Sequence, residues 1–377
     1  MTKIITIAIK PTLSCNIDCK HCYHPLSERS DTAISKETLE KVIRSASEEY
    51  ETAWFIWHGG EPLLLPLSFY KNAISLQEKY FGKDSHRVSN TIQTNGTVLN
   101  KKFAEFCREK KVNVGISFEG HCNNVLRERT DDVNENIKMM KKNGHKFTVC
   151  ATICKESTDD MIKMYDRFIG NGMALSFSPV IELGGASSDM IPDADGYAKA
   201  SIDAFERWLY DTDAEMPLMP FMNYVLSALG NETPADCSRS SCLTKWICVY
   251  PNGDLYPCAK GCPPELRLCN ISEIERLSNA FGTDAMFRML SSSIERREKC
   301  ATECKLFSYC NGGCSVDALS EGSMSNNGGT SCTIFRKVFT HILGTMNRIL
   351  ADRPDLSVYN KFVRDAVIGR LVDPAEP

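Results

Sequence analysis

The sequence lacks the features that mark membrane, secreted and nucleic-acid-binding proteins. No apolar run approaches the roughly 18 residues that a transmembrane helix needs, and Lys10 and Pro11 interrupt the short apolar start, unlike a secretory signal. The 44 lysines and arginines do not exceed the 48 aspartates and glutamates, so the net charge of -4 does not favour binding to nucleic acid. With 23 glycines and 16 prolines in 377 residues, the chain is neither collagen-like nor broadly disordered. We therefore expect a globular protein of the cytoplasm that binds neither nucleic acid nor membrane.

Cysteine, in contrast, is plentiful. The chain has 18 cysteines, a smaller share than the roughly 8–10% of small disulfide-rich proteins. Two groups stand out, Cys15, Cys19 and Cys22 near the start and eleven cysteines from Cys237 to Cys332. Clustered cysteines in a reducing compartment indicate bound metal rather than disulfides. The cysteines between the two groups are predicted to be core or surface thiols: Cys107, Cys122, Cys150 and Cys154.

The first two-thirds of the chain alternates short apolar runs with amphipathic helical stretches. Runs rich in β-branched and aromatic residues predict six strands: Ile4–Lys10, Ala53–Trp57, Val88–Thr94, Val112–Phe118, Lys146–Ile153 and Ala174–Glu182. Ser35 is a predicted N-cap, followed by apolar residues at helical spacing from Leu39 to Ala46. Six strand–helix units predict an α/β fold, a partial (β/α)6 TIM-like barrel, since the complete barrel has eight units. A helical stretch from Ser201 to Leu229 is predicted to lead out of the barrel.

Four of the predicted strands are followed by polar segments. Cys15–Cys22 follows the first strand, His58–Pro62 the second, Thr94–Gly96 the third and Ser117–Gly120 the fourth. The carboxyl ends of parallel strands lie at one rim, which is where α/β folds place their sites. The sequence therefore predicts one site assembled from these four segments.

The first cysteine group has the spacing CxxxCxxC, which places three thiolates within eight residues. Structural zinc sites use four ligands, usually in pairs. Three thiolates on one short loop instead suit a [4Fe–4S] cluster in which one iron has no protein ligand, because cluster irons favour thiolate sulfur. The alternative is a zinc site completed by His21 or His24.

The sequence resembles the radical S-adenosylmethionine (SAM) superfamily in two motifs. These are CxxxCxxC after the first strand and Gly59-Gly60-Glu61-Pro62 after the second. The resemblance implies that the free iron chelates the amino and carboxylate groups of SAM. It implies SAM contacts from Gly59, Gly60, Glu61, Asn95, Ser117 and Arg129. The chain departs from the family pattern at His21, where an aromatic residue is usual, and at Glu119, where the family has aspartate in S-x-D-G.

The second cysteine group resembles the SPASM domain, which carries two auxiliary [4Fe–4S] clusters. Carried over, the resemblance implies a first auxiliary cluster on Cys237, Cys242, Cys258 and Cys314, and a second on Cys300, Cys304, Cys310 and Cys332. Asn252-Gly253-Asp254 predicts the hairpin turn that returns Cys258 to its partners. Cys248 is an alternative ligand to Cys237, Cys262 is a candidate redox-active thiol, and Cys269 is predicted to be structural. Zinc ribbons built from the same cysteines are the alternative.

The resemblance covers nearly the whole chain. It divides the chain into a radical SAM barrel over residues 1–230 and a SPASM domain over residues 231–377, which ends in a helix from Ile334 to Leu350. The layout is similar to that of anaerobic sulfatase-maturating enzymes and of peptide-modifying SPASM proteins. The sulfatase maturases have an aspartate after Tyr-Pro-Cys that is proposed as the base, and here Ala259 follows Tyr256-Pro257-Cys258.

The resemblance implies an oxidoreductase that cleaves SAM reductively to a 5′-deoxyadenosyl radical, which abstracts hydrogen from a carbon. Because a two-cluster domain is combined with Ala259, the leading hypothesis is a maturase that forms a thioether or carbon–carbon crosslink in a ribosomally made peptide. The runner-up is formylglycine formation on a CxPxR or SxPxR peptide of a sulfatase. A dehydrogenase of a small alcohol and a non-catalytic iron–sulfur carrier are further alternatives.

The predicted partners are a peptide or protein substrate, expected to carry a leader, and a flavodoxin or ferredoxin as reductant. Only 14 residues precede Cys15, so leader recognition is expected to use a separate protein or the barrel and SPASM surfaces. The predicted cofactors are SAM and three [4Fe–4S] clusters. The catalytic base stays unassigned, although Tyr256, Lys260 and Glu119 are expected near the cavity.

Overall fold

A ten-stranded sheet organises the chain, with the strand order β10-β9-β8-β1-β2-β3-β4-β5-β6-β7. The computed structural model describes residues 4–24, 29–83, 86–230, 242–260 and 263–372. The strands are β1 (Ile4–Ile9), β2 (Thr52–Trp57), β3 (Val88–Thr94), β4 (Val112–Ser117), β5 (Thr148–Ile153), β6 (Ala174–Pro179), β7 (Leu218–Met219), β8 (Trp246–Val249), β9 (Asp254–Tyr256) and β10 (Cys269–Asn270). Strands β1 to β7 pair in parallel in chain order, which confirms the predicted parallel α/β architecture.

Helices connect the parallel strands and form the C-terminal region. They are α1 (Lys36–Glu49), α2 (Leu67–Phe81), α3 (Lys101–Glu109), α4 (Asn123–Leu126), α5 (Thr130–Lys142), α6 (Met161–Phe168), α7 (Ala194–Leu209), α8 (Phe221–Ala228), α9 (Asp284–Glu303), α10 (Phe307–Cys310), α11 (Ser315–Ser320), α12 (Gly329–Asp352) and α13 (Lys361–Val372). Ser35 caps α1 as predicted, since its side chain accepts a hydrogen bond from the Thr38 amide. The apolar face of α1 from Leu39 to Ala46 is buried.

The six predicted strands are all present, with small differences at their ends. The helical stretch predicted from Ser201 to Leu229 is interrupted. Helix α7 ends at Leu209, strand β7 follows, and α8 begins only at Phe221. Pro217 and Pro220 keep the segment before α8 from being helical, because proline lacks an amide donor and clashes with the preceding turn of a helix.

The cysteine-rich region joins the barrel through the sheet. Strand β8 pairs in parallel with β1, and β9 runs antiparallel to β8 as the predicted hairpin. Gly253 lies in the turn with φ 86°, a left-handed conformation that glycine adopts without strain. The boundary predicted at residues 230–231 falls where residues 231–241 lie outside the described part of the chain.

The predicted C-terminal helix is longer than expected, since α12 runs from Gly329 to Asp352. Its buried Phe339 lies against the rings of Tyr224 in α8, Tyr309 in α10 and Phe335 in α12 itself. Helix α12 therefore packs on the barrel side of the molecule. Among the described helices, none has the length and apolar character needed to cross a membrane.

Candidate functional site

The loop after β1 and the turn after β2 pack directly on each other. The amides of Gly60 and Glu61 donate hydrogen bonds to the carbonyl oxygens of Thr12 and Ser14, at 3.0 and 2.8 Å. A Cβ atom on Gly59 would lie 2.4 Å from the Thr12 oxygen, and one on Gly60 would lie 2.1 Å from the Ser14 oxygen. Glycine is therefore required at both positions so that the cysteine loop can approach the turn.

The Glu61 side chain links the loops after β2 and β3. It is fully buried and accepts hydrogen bonds from the Thr94 hydroxyl at 2.8 Å and the Asn95 amide at 2.7 Å. Burial raises the pKa of Glu61 to about 7. The Asn95 side-chain amide in turn lies 2.9 Å from the Asn16 Oδ1 and 3.9 Å from the Cys15 Sγ. These contacts bring the predicted Gly59–Glu61 turn, Asn95 and the first cysteine together.

An ion pair in the segment that follows β4 lies against the cysteine loop. The Arg127 Nε donates to both oxygens of the buried Glu119, with N–O distances of 2.9 and 3.1 Å, and its Nη1 lies 3.6 Å from the Cys19 Sγ. Arg129, predicted as a SAM contact, lies elsewhere: it pairs with Asp132 at the start of α5, and its side chain is 41% exposed. Sequence reasoning missed Arg127 because spacing alone does not show which of two arginines, two residues apart, contacts the cysteine loop.

Ser117 lies at the end of β4, as predicted. It pairs with Cys150 of β5 in the sheet register and accepts a hydrogen bond of 2.8 Å from the Gln93 side chain of β3. Gly115 makes room for this arrangement, since a Cβ there would lie 2.2 Å from the Gln93 Oε1. Sequence reasoning also missed Gln93, whose only signal was its place one residue before Thr94 on the same strand.

The loop residues fit a bound iron–sulfur cluster better than a zinc ion. Tetrahedral zinc holds neighbouring ligand atoms about 3.3–3.8 Å apart, given bonds of about 2.0–2.3 Å. Among the described residues, neither Cys15, Cys19 and Cys22 nor the C-terminal cysteines form a group of three within 4.8 Å of one another. A cluster spaces its thiolates more widely than one ion does.

Buried polar atoms beside the cysteine loop also indicate a missing group. The Nδ1 atoms of His21 and His58 are buried and have no hydrogen-bond partner in the described part of the chain. Burial lowers the pKa of His21 to about 3 and that of His58 to about 4, so both rings are neutral near pH 7. Burial raises the pKa of the Cys19 thiol to about 11, so a bound cation is needed to keep it ionised.

The C-terminal cysteines fall into two sets. Burial raises the pKa values of Cys242 to about 11 and Cys314 to about 12, and the nearby Cys258 contributes to both shifts. Burial also raises the pKa of Cys300, with contributions from Cys332 and Cys304. The structure thus brings together most members of each predicted set: Cys242, Cys258 and Cys314 in one, and Cys300, Cys304 and Cys332 in the other.

The remaining predicted cysteines have different placements. Cys310 lines the same cavity as the second set, and Gly312 and Gly313 follow it with φ of 83° and 72°. Cys237 and Cys262 lie outside the described residues. The other two C-terminal cysteines, Cys248 and Cys269, are buried on β8 and β10.

A cavity of about 1320 Å³ lies between the barrel and the cysteine-rich region. The end of β6, helices α7 and α8, and helix α12 form its walls. Inside it, Lys260 forms an ion pair with Asp317 and lies 3.9 Å from the Cys314 Sγ. Tyr23, which directly follows the first cysteine motif, also lines the cavity. The cavity therefore extends from Tyr23 to the C-terminal cysteines.

Comparison with known proteins agrees with this geometry. The radical SAM superfamily profile matches residues 9–169. A serine-type anaerobic sulfatase-maturating enzyme of Klebsiella aerogenes is 26% identical over 372 residues, which cover 94% of this chain and 88% of the relative. A cysteine-type enzyme of Clostridium perfringens (strain 13 / Type A) is 27% identical over 331 residues, which cover 82% of this chain and 88% of the relative.

A solved structure shares the fold. Native anSMEcpe with bound AdoMet and Cp18Cys peptide superposes with a TM-score of 0.78 at 22% sequence identity, covering 91% of this chain and 99% of that chain. The match extends beyond the barrel into the C-terminal region. The chain therefore contains a radical SAM domain over residues 9–169, and along most of its length it is similar to anaerobic sulfatase-maturating enzymes.

Proposed function

We propose that this enzyme oxidises a cysteine or serine side chain in a peptide segment of a sulfatase to formylglycine. The observation that carries the proposal is the similarity to sulfatase-maturating enzymes over 94% of the chain, which includes the cysteine-rich C-terminal region. The peptide crosslink that was the leading expectation from the sequence has less support, because both curated relatives described above are sulfatase maturases.

The cofactors that fit the residues are SAM and three [4Fe–4S] clusters. We propose that Cys15, Cys19 and Cys22 hold the SAM-binding cluster and that the two C-terminal sets hold the auxiliary clusters, with Cys237 and Cys310 completing them. When bound, the cluster and SAM supply the radical that removes a hydrogen from the substrate. The chain's part is to orient the substrate carbon, exclude water and accept electrons and protons.

The SAM contacts proposed here differ from the sequence expectation at one residue. Five of the expected residues stay in the proposed set: Gly59, Gly60, Glu61, Asn95 and Ser117. Arg127 replaces Arg129, because Arg127 is the arginine whose guanidinium lies against Cys19. We also propose the two domains expected from the sequence, a radical SAM barrel over residues 1–230 and a SPASM domain over residues 231–377.

The cavity supports a peptide substrate. It is bordered by Tyr23, which follows the first cysteine motif, by Cys314 of the first C-terminal set, and by Cys300, Cys304, Cys310 and Cys332 of the second. A related solved structure contains a peptide together with AdoMet. A flavodoxin or ferredoxin is the proposed electron donor, since cleavage of SAM requires a reductant of low potential.

The test is turnover of anaerobically purified enzyme with SAM, a strong reductant and two synthetic peptides. The peptides differ only at the target residue, which is cysteine in a CxPxR motif and serine in an SxPxR motif. We expect 5′-deoxyadenosine together with an aldehyde on at least one peptide, detected by mass spectrometry and by trapping with a hydrazide. A matched peptide with alanine at the target position is the control. Formation of 5′-deoxyadenosine without aldehyde on either peptide would reject sulfatase maturation and leave the radical SAM assignment intact.

One observation favours the crosslinking alternative. Ala259 stands where the sulfatase maturases have the proposed base, so the chain lacks that carboxylate at that position. The carboxylates that line the cavity come from elsewhere, namely Glu303, Asp317 and Glu321. A precursor peptide that loses two hydrogens during turnover, with no aldehyde formed on either sulfatase peptide, would support crosslinking instead.

A further inference from the structure

Three metal-ligating side chains converge at the barrel rim, apart from both cysteine groups. His121 and Cys122 lie in the 3-10 helix Gly120–Cys122 that follows β4, and Asp160 ends the 3-10 helix Lys155–Asp160 that follows β5. The Cys122 Sγ lies 3.1 Å from one oxygen of Asp160, and the His121 Nε2 lies 3.3 Å from the other. The ligand atoms of all three residues lie within 4.8 Å of one another.

The spacing and the mixture of ligands fit zinc. Bonds of about 2.0–2.3 Å place the ligands of tetrahedral zinc about 3.3–3.8 Å apart. The separations of 3.1 and 3.3 Å run to different oxygens of Asp160, so a small rotation of its carboxylate would bring one oxygen to this distance from both other ligands. Sulfur, imidazole and carboxylate together favour zinc over calcium or magnesium, which prefer oxygen ligands alone. Cys122 is buried, whereas His121 is 42% exposed, so a water molecule has access to the fourth position.

Lys163 competes for this position. Its ammonium lies 2.6 Å from the Asp160 oxygen that faces His121, although the side chain as a whole is 72% exposed. An exposed lysine on α6 can swing into solvent at little cost, since surface ion pairs contribute only about 0–1 kcal/mol. A metal ion therefore has to displace one proton from Cys122 and one mobile ammonium group from Asp160.

We propose that His121, Cys122 and Asp160 form a zinc site that ties the loop after β4 to the loop after β5. The site is independent of the proposed function, because it uses none of the cysteines assigned to iron. It is connected to the SAM site by one residue: Glu119, directly before the 3-10 helix, holds Arg127 against Cys19. Zinc would thus fix the turn that positions Glu119.

The test is equilibrium dialysis of the anaerobically purified holoenzyme against buffered zinc, with zinc and iron per chain measured by mass spectrometry. We expect one zinc per chain at full iron content. Cys122→Ser and His121→Ala should each weaken binding by more than about tenfold. Lys163→Ala should tighten binding by several-fold, because it removes the competing ammonium group from a surface position without disturbing the fold.

Cys154→Ser is the matched control, since Cys154 is a buried cysteine near Cys122 that lies outside the group. It should bind zinc as the wild type does, and zinc should raise the thermal unfolding midpoint of both. Zinc binding that is unchanged in Cys122→Ser, or that occurs only as iron is lost, would overturn the proposal. A Lys163→Ala variant that binds zinc no more tightly than the wild type would also overturn it. This second variant keeps the proposal testable if the Cys122→Ser protein fails to fold.

Discussion

Gly60 shows how a single atom constrains the cysteine loop. Replacing it with alanine places a Cβ about 2.1 Å from the Ser14 oxygen and 2.6 Å from the Leu13 oxygen, so the backbone of the cysteine loop must shift. We expect Gly60→Ala to lose most SAM cleavage, measured as 5′-deoxyadenosine, and part of its iron. Gly170→Ala is the control, since its Cβ meets nothing within 4 Å. Wild-type turnover by Gly60→Ala would contradict the assigned role.

Arg127 and Arg129 make a second comparison at the residue scale. Arg127→Met leaves the buried Glu119 carboxylate without its partner, which should lower the free energy of unfolding by about 3–5 kcal/mol. Arg129→Met removes an exposed pair with Asp132 and should cost less than about 0.5 kcal/mol. Urea unfolding of the two variants checks the difference. Equal costs would show that Arg127 does not hold the Glu119 side chain.

The residues of the site could be predicted only as far as the motif reaches. The spacing of Cys15, Cys19 and Cys22 specifies three thiolates on one loop, and β-strand order brings Gly59–Glu61 and Asn95 to the same rim. Which of two nearby arginines turns inward depends on backbone conformation. Arg129 has a φ of 58°, a left-handed conformation that the sequence does not encode in an obvious way.

At the scale of elements, α1 connects the barrel to the C-terminal region. Glu49 and Ser45 on α1 accept hydrogen bonds from the Leu277 amide, each at 2.7 Å, and Glu49 also accepts one from the Ser278 amide at 3.1 Å. These amides open the 3-10 helix Leu277–Gly282, so α1 provides the caps of that helix. Although burial alone would raise the pKa of Glu49, the hydrogen bonds from Ser278 and Ser45 lower it.

A lowered pKa gives this contact a pH dependence with a definite sign. The stabilisation is present above the unfolded-state pKa of about 4.3 and is lost as the pH falls through the lower folded-state pKa. We therefore expect Glu49→Gln to lower the free energy of unfolding by about 1 kcal/mol near neutral pH and by less in acid. Urea unfolding at two pH values measures this. Glu48→Gln, a variant of an exposed neighbour on α1, is the control, and an effect of Glu49→Gln that grows in acid would contradict the assignment.

Secondary structure was predictable where local patterns decide it. The six barrel strands are short β-branched runs, and α1 carries both its cap and its apolar face in the sequence. The pairing of β8 with β1 was not predictable, because it joins residues that are far apart in the sequence, such as Thr6 and Trp246. Such long-range pairing depends on the whole fold rather than on local propensity.

At the scale of the whole molecule, the barrel and the cysteine-rich region share a sheet and border a common cavity. Strand β8 extends the sheet at β1, while α12 closes the opposite side against α7 and α8. Ile334 and Phe335 of α12 line the cavity next to Cys332. The packing of α12 therefore determines both the position of a proposed cluster ligand and the shape of the proposed substrate site.

Phe339 tests that packing. It is fully buried, with ring centroids 5.9 Å from Tyr224, 4.9 Å from Tyr309 and 5.1 Å from Phe335. Phe339→Ala should lower the free energy of unfolding by about 3–5 kcal/mol and reduce iron bound by the C-terminal cysteines, because the helix that carries Cys332 loses its main aromatic contact. Phe287→Ala on α9 is the control, since Phe287 is 71% exposed and its loss should change stability by less than about 0.5 kcal/mol. Urea unfolding and iron analysis measure both effects, and full iron content in a destabilised Phe339→Ala protein would separate the packing of α12 from the binding of the cluster.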